Sequence, residues 1–254
     1  DIDPNTTRNF AFAIQSFGMT AASIFILNKR IKVDKHYIFY VSIAGVFGLF
    51  FGTVYVAPFI TPKVAKLFFV SLWLAFGIVL WFVNTIKNRN IQDKLPFLST
   101  YDIFLLLIFG FIGGIISSIF GTGINIFSFC FVVIYYHLNE KVATPSSVII
   151  MAIETLIGFT MHKYWMNDFN ETSKEMWLAC IPFVIFLAPL GAWFISRISR
   201  KWVASLLYII LLTQFLGAII VLRPSGMMLV LSVVTITVGV FLFLLLYRIS
   251  NSRV

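Results

Sequence analysis

Charge is what this sequence lacks. Only 11% of its 254 residues are Asp, Glu, Lys or Arg, against roughly a quarter in a soluble domain. The chain cannot cover itself with a hydrated surface, so lipid must stand in for water. Acidic residues are the scarcest, ten Asp and Glu against nineteen Lys and Arg, for a net charge of +9. That balance does not imply nucleic acid, because the basic residues lie in short stretches between apolar runs and form no basic face on a polar module. Cysteine is almost missing. Cys130 and Cys180 fall inside apolar runs with no metal-ligand spacing. The three histidines, His36, His137 and His162, sit at the ends of such runs, where imidazoles are interfacial. No His-Glu-x-x-His, Walker glycine loop or Gly-x-Ser-x-Gly elbow occurs. The sequence therefore offers no catalytic set, no metal site and no cofactor site, and it does not read as an enzyme.

What it does have is one apolar run after another, 60% hydrophobic overall with 29 Phe and 6 Trp. A helix needs about 20 apolar residues to cross about 30 Å of hydrocarbon. Runs of that kind predict spans at 10–27, 36–58, 67–84, 101–120, 143–161, 175–195, 202–222 and 226–247, with a shorter apolar stretch at 124–136. The runs do not alternate polar with apolar residues, which excludes a barrel.

Gly110 to Gly123 is exceptional, holding five of the fifteen glycines. Small-residue packing between helices explains such a cluster. So does a helix broken at Gly121-Thr122-Gly123, which survives at membrane depth only where protein or water satisfies the freed backbone. Loop charge decides in favour of the break. If 101–136 enters and leaves on one side, thirteen Lys and Arg share that side and six the other; a single crossing gives ten against nine. The positive-inside rule thus favours a hairpin, with the basic loops and the C-terminus cytoplasmic.

Weak internal similarity accompanies this. Ile60-Thr61-Pro62-Lys63 and Ile198-Ser199-Arg200-Lys201 open corresponding helices, and Thr6-Thr7 with Gly18 match Ser146-Ser147 with Gly158. The expected organisation is a first repeat at 1–84, a cytoplasmic linker at 85–100, a second repeat at 101–222, and a final helix with a basic tail at 226–254. The fold class is an all-α polytopic membrane protein: about seven transmembrane helices plus a broken Gly-rich helical hairpin, in two inverted structural repeats. The first repeat has no counterpart of the hairpin, so repeat logic predicts a further Gly-rich apolar segment of about 35–40 residues upstream.

The motifs of the second half carry a family resemblance. Gly110-x-x-Gly113-Gly114, Phe120-Gly121-Thr122-Gly123, Ala143-Thr144-Pro145-Ser146-Ser147, Pro189-Leu190-Gly191-Ala192 and Arg197-Ile198-Ser199-Arg200-Lys201 together resemble the sulfite exporter TauE/SafE family of membrane permeases. The likeness covers 101–222 well and 6–84 more loosely. It departs at Gly123-Ile124-Asn125, where the family runs on in glycine, and at Phe127-Ser128-Phe129, where a proline is expected. The resemblance implies a secondary permease for sulfite, thiosulfate or a small sulfonate or carboxylate in a bacterial or archaeal cell membrane. The alternative is a membrane scaffold or assembly subunit without transport. A small anion and the bilayer are the expected partners, without nucleic acid, and a homodimer is compatible with the reading.

An anion site needs N–H groups, hydroxyls or amides aimed at it, and half-helix N-termini supply these with a favourable dipole. Gly121, Gly123 and Asn125 at the break, and Ser146 and Ser147 after Pro145, are the substrate-binding candidates. Thr6, Thr7 and Arg8 are their counterparts in the first half. Ser146 and Ser147 read equally as an N-cap at the membrane edge, and Arg8 as a headgroup anchor. Glu154 is the one formal charge deep in a predicted span, costly there and by default functional. It is the proton-coupling candidate, the alternative being a structural hydrogen bond to Gln15 or Gln214.

Overall fold

The computed structural model describes residues 3–85, 91–96 and 98–251. Residues 86–90 and 97 of the expected linker, and the last three of the expected tail, lie outside the described residues. Among the described residues the chain is all-helical, without strands, and eight helices are long and apolar enough to cross a membrane.

In chain order the helices are α1 Pro4–Asn28, α2 Lys35–Phe51, α3 Pro62–Thr85, α4 Thr100–Phe120, α5 Ile124–Tyr135, α6 Glu140–Thr160, α7 Glu171–Arg197, α8 Arg200–Leu222 and α9 Met227–Asn251. A π-helical turn, Gly52–Val56, prolongs α2, and a second, Met161–Trp165, prolongs α6. Each predicted span is a helix. With twelve residues, α5 is about 18 Å long and too short to cross. The order α1-α2-α3 against α6-α7-α8 is compatible with the expected repeat.

Several helices start earlier than expected, and two of these starts bear on the candidate residues. Asp3 accepts from Asn5 N and Thr6 N with Pro4 in the first turn, so α1 begins before its polar residues and takes in Thr6, Thr7 and Arg8. Helix α6 begins at Glu140, which puts Pro145 inside the helix and Ser146 and Ser147 in its second turn, away from the N-terminus. Hydropathy marks where a helix enters apolar surroundings. A helix can begin before that point, here by six residues in α1 and three in α6.

The chain divides into two compact units. The first comprises Asp1–Phe59, Lys94–Phe129 and Lys141–Ile198; the second comprises Ile60–Asp93, Cys130–Glu140 and Ser199–Val254.

In the first unit α2 packs along α4 and α1 along α7. Glycine permits the first contact. A Cβ on Gly48 would overlap the Phe111 backbone, one on Gly114 the Gly45 carbonyl, and one on Gly110 would lie 2.7 Å from Val41 O. Close backbone approach of this kind gives dispersion contact where lipid removes any hydrophobic drive. Around α1, buried Phe12, Ala13, Leu49, Phe159 and Met161 form a core with Trp177 and Phe169 against it.

In the second unit α3 packs on α8 and α9. Leu67, Val70 and Ala218 form its core, and Ser71 Oγ meets Ser232 Oγ at 2.7 Å to tie α3 to α9. Four polar groups close one end. Arg200 Nη1 donates to Glu140 Oε1 and Oε2 at 3.2 Å and to Asn84 Oδ1 at 3.0 Å, while Asn84 Nδ2 donates to Tyr208 Oη at 2.8 Å. Glu140 is fully buried there.

Candidate functional site

The break between α4 and α5 is organised by Ser117. Gly121 ends α4 in the left-handed conformation, φ +75°, and its N–H donates to Ser117 O at 2.7 Å, the αL form of helix C-cap. Ile124 N, opening α5, donates to Ser117 Oγ at 3.0 Å. One serine thus holds the end of one helix and the start of the next. Gly123 also has positive φ. The glycine cluster therefore serves both expected purposes at different positions: Gly110, Gly113 and Gly114 pack, while Gly121 and Gly123 turn.

Helix α1 lies against the turn. A Cβ on Gly121 would stand 2.5 Å from Arg8 O and 2.8 Å from Ala11 Cβ. Gln15, one turn beyond Ala11 on the same face, has a buried Oε1 with no hydrogen-bond partner. From α6, Glu154 is 1% exposed, its carboxyl faces Ser117, and neither of its oxygens is hydrogen-bonded. The alternative role, a bond between Glu154 and Gln15, has no close hydrogen bond behind it. Asn125 Oδ1, in the first turn of α5, is buried and likewise unpartnered. Polar atoms are thus left open at the start of a short half-helix, whose N-terminus carries partial positive charge. A buried polar group without a partner is exceptional.

The other predicted residues have different surroundings. Ser146 is fully buried, accepts from Asp34 N at 2.9 Å and donates to Val142 O at 2.7 Å, so it joins α6 to the capping residue of α2. Asp34 in turn accepts from Tyr37 N and Leu95 N. Ser147 Oγ donates to Thr144 O at 2.8 Å. It shares a helix face with Glu154, two turns or about 11 Å further along α6.

Thr6 and Arg8 bind the connection between α6 and α7. Asn170 Nδ2 donates to Thr6 Oγ1 at 2.6 Å, and Ser173 Oγ donates to Thr6 O at 3.1 Å. Arg8 Nη2 meets Asp168 Oδ2 at 2.9 Å, Asn9 Nδ2 donates to Asp168 O at 2.8 Å, and His162 Nδ1 lies 2.9 Å from Asp168 Oδ1. The His162 ring is buried and stacks on Phe12, centroids 5.4 Å apart. Burial pushes the Asp168 carboxyl up. The hydrogen bond and charge of His162, the charge of Arg8 and the Asn9 bond outweigh it and hold the carboxyl below its ordinary value. Thr7 is exposed and its hydroxyl donates to Asp3 O.

Sequence reasoning missed Ser117, Asp168 and Asn9. Ser117 and Ser118 lie just before the broken glycines, the one signal that could have singled out Ser117. Asp168 and Asn9 carry no motif at all. Among the described residues no cluster of three or more His, Cys, Asp or Glu could hold a metal ion.

Among the described residues, three cavities on the first unit are lined without Asn125, Ser146 or Ser147. One is lined by Phe50, Leu156, Thr160, Met161, Tyr164 and Trp165; another lies between α2 and α6; the third is a groove bounded by α1, α6 and α7. Ser117 and Glu154 are themselves buried.

The sequence matches the family model described as Sulfite exporter TauE/SafE over residues 7–218. Comparisons with curated proteins and with solved structures give no match.

Proposed function

The chain belongs to the sulfite exporter TauE/SafE family of membrane permeases, and on that premise we propose that it is a secondary transporter of a small anion such as sulfite, thiosulfate, or a sulfonate or carboxylate. The observation that carries this reading is the buried carboxyl of Glu154 facing Ser117 at the α4–α5 break. A helix N-terminus favours an anion. An ionised carboxylate beside it would repel one, whereas a protonated carboxyl donates a hydrogen bond to it. Anion and proton thus bind together, and Glu154 couples transport to the proton gradient.

Gly121, Gly123 and Asn125 line the anion position with Ser117, and Ser147 extends it along the Glu154 face. Ser146, Thr6, Thr7 and Arg8 frame it from α6 and α1. The stretches 1–84 and 101–222 work as inverted halves in alternating access, joined by the cytoplasmic linker 85–100 and followed by the helix and tail of 226–254. Burial of Glu154 fits a conformation closed over the site. Loop charge supports a cytoplasmic Lys- and Arg-rich side, in a bacterial or archaeal cell membrane as the family resemblance implies.

Flux into sealed proteoliposomes tests the proposal, with sulfite, thiosulfate, sulfate and acetate each measured with and without a pH gradient. Saturable flux of one or more anions, faster with the gradient, is expected. Folded protein that carries none of the four would sink the reading and leave the scaffold role.

A further inference from the structure

The groove bounded by α1, α6 and α7 has a volume of about 190 Å³ and lies wholly within the first unit. Its floor is apolar and built from small residues, Ala22, Ala188, Gly191 and Ala192 among them. Gly191 leaves it open, since a Cβ there would meet nothing within 4 Å. Its polar liners are Lys141, Thr144 and Ser196, and Thr144 Oγ1 is buried with no hydrogen-bond partner. The end of α1, the start of α6 and the end of α7 meet there, so the groove has a mouth at one face of the membrane and runs inward from it.

That mouth is basic. Arg30 and Lys32 flank the lining residue Ile31, Arg197 flanks the lining residue Ser196, and all three are exposed. An apolar slot between helices with cations at one end matches an acyl chain carrying a negative headgroup. Loop charge puts this end on the cytoplasmic side, where the leaflet is anionic and basic pockets between helices hold acidic headgroups.

We propose that the α1–α6–α7 groove is a binding site for an acidic phospholipid, one acyl chain lying over Gly191 and Ala192 and the headgroup phosphate held by Lys141 and Arg197. The site is separate from Ser117 and Glu154. It rests on the orientation argued above and not on transport.

The test is native mass spectrometry of the full chain in mild detergent, titrated with phosphatidylglycerol or phosphatidylcholine, with thermal unfolding as a check on folding. The wild type should retain a single phosphatidylglycerol in preference to phosphatidylcholine and unfold at a higher temperature with it. Gly191→Leu puts bulk into the slot at a position whose Cβ meets nothing within 4 Å and should lower retention of both lipids. Arg197→Gln leaves the slot open and should cut the preference for phosphatidylglycerol by about fivefold, the effect of one charge near a membrane surface. Equal retention of the two lipids by the wild type would overturn the proposal, and so would unchanged retention in Gly191→Leu. A co-purifying polypeptide in the groove in place of lipid would do the same. Loss of anion flux in the experiment above would leave it standing.

Discussion

Replacing Gly121 by alanine asks two things of the chain that glycine does not. The backbone there has φ +75°, where an L-residue costs about 1–2 kcal/mol. The new Cβ would also stand 2.5 Å from Arg8 O and 2.8 Å from Ala11 Cβ, so α1 must move away or the α4–α5 turn must open. Overpacking of that kind costs about 1–3 kcal/mol. Together the terms come to about 2–5 kcal/mol, or on the order of 10 °C in the unfolding temperature of a chain this size. Gly191→Ala is the matched control, because its Cβ meets nothing within 4 Å in mid-helix and alanine there gains about 1 kcal/mol in helix propensity. Thermal unfolding of both variants in one detergent, followed by tryptophan fluorescence, should move in opposite directions. Equal shifts, or no shift in Gly121→Ala, would refute the claim that α1 is seated on the break.

Ser117→Ala leaves the Ile124 amide without its acceptor and should cost about 1–3 kcal/mol in the same assay. Glu154→Gln should fold and still carry anion in proteoliposomes, with the pH dependence of uptake gone; a retained dependence would count against proton coupling. Asp168→Asn should flatten the acid limb of the stability curve. A carboxyl held low stabilises the fold above its unfolded value of about 3.9, and the gain disappears as pH falls through the lower folded value. Because Asp168 is a third exposed, the effect should be no more than about 1 kcal/mol. Glu140→Ala strands the Arg200 guanidinium beside a buried space and should cost about 3 kcal/mol, with Glu140→Gln milder in the same unfolding measurement.

The membrane spans were legible because twenty apolar residues in a row leave few alternatives to a helix in lipid. The break was legible because Gly121 and Gly123 bracket one residue in the middle of an apolar stretch. Helix starts were not. Asn5 to Arg8 and Glu140 to Val142 lie outside the apolar runs and read as loop, and only the Asp3 cap and the observed start of α6 show that they are helical. For the same reason Ser146 looked like an open helix end, although its hydroxyl is spent on Asp34 and Val142. The Arg8–Asp168–His162 group joins residues up to 160 positions apart, with no periodicity to announce the meeting. Ser117 is one more serine in an apolar run until the geometry shows which two helix ends it serves.

Helix α3 belongs with α8 and α9, yet it is made before the whole stretch from α4 to α7. At about 5–20 residues per second of synthesis, its partners follow only after a delay on the order of ten seconds. For that interval a finished helix waits in the bilayer with Ser71 and its packing face turned to lipid, while the first unit needs nothing beyond Ile198 to close. Assembly is therefore ordered by the ribosome. The second unit is completed last, and α3 is the element most open in the meantime to a wrong neighbour.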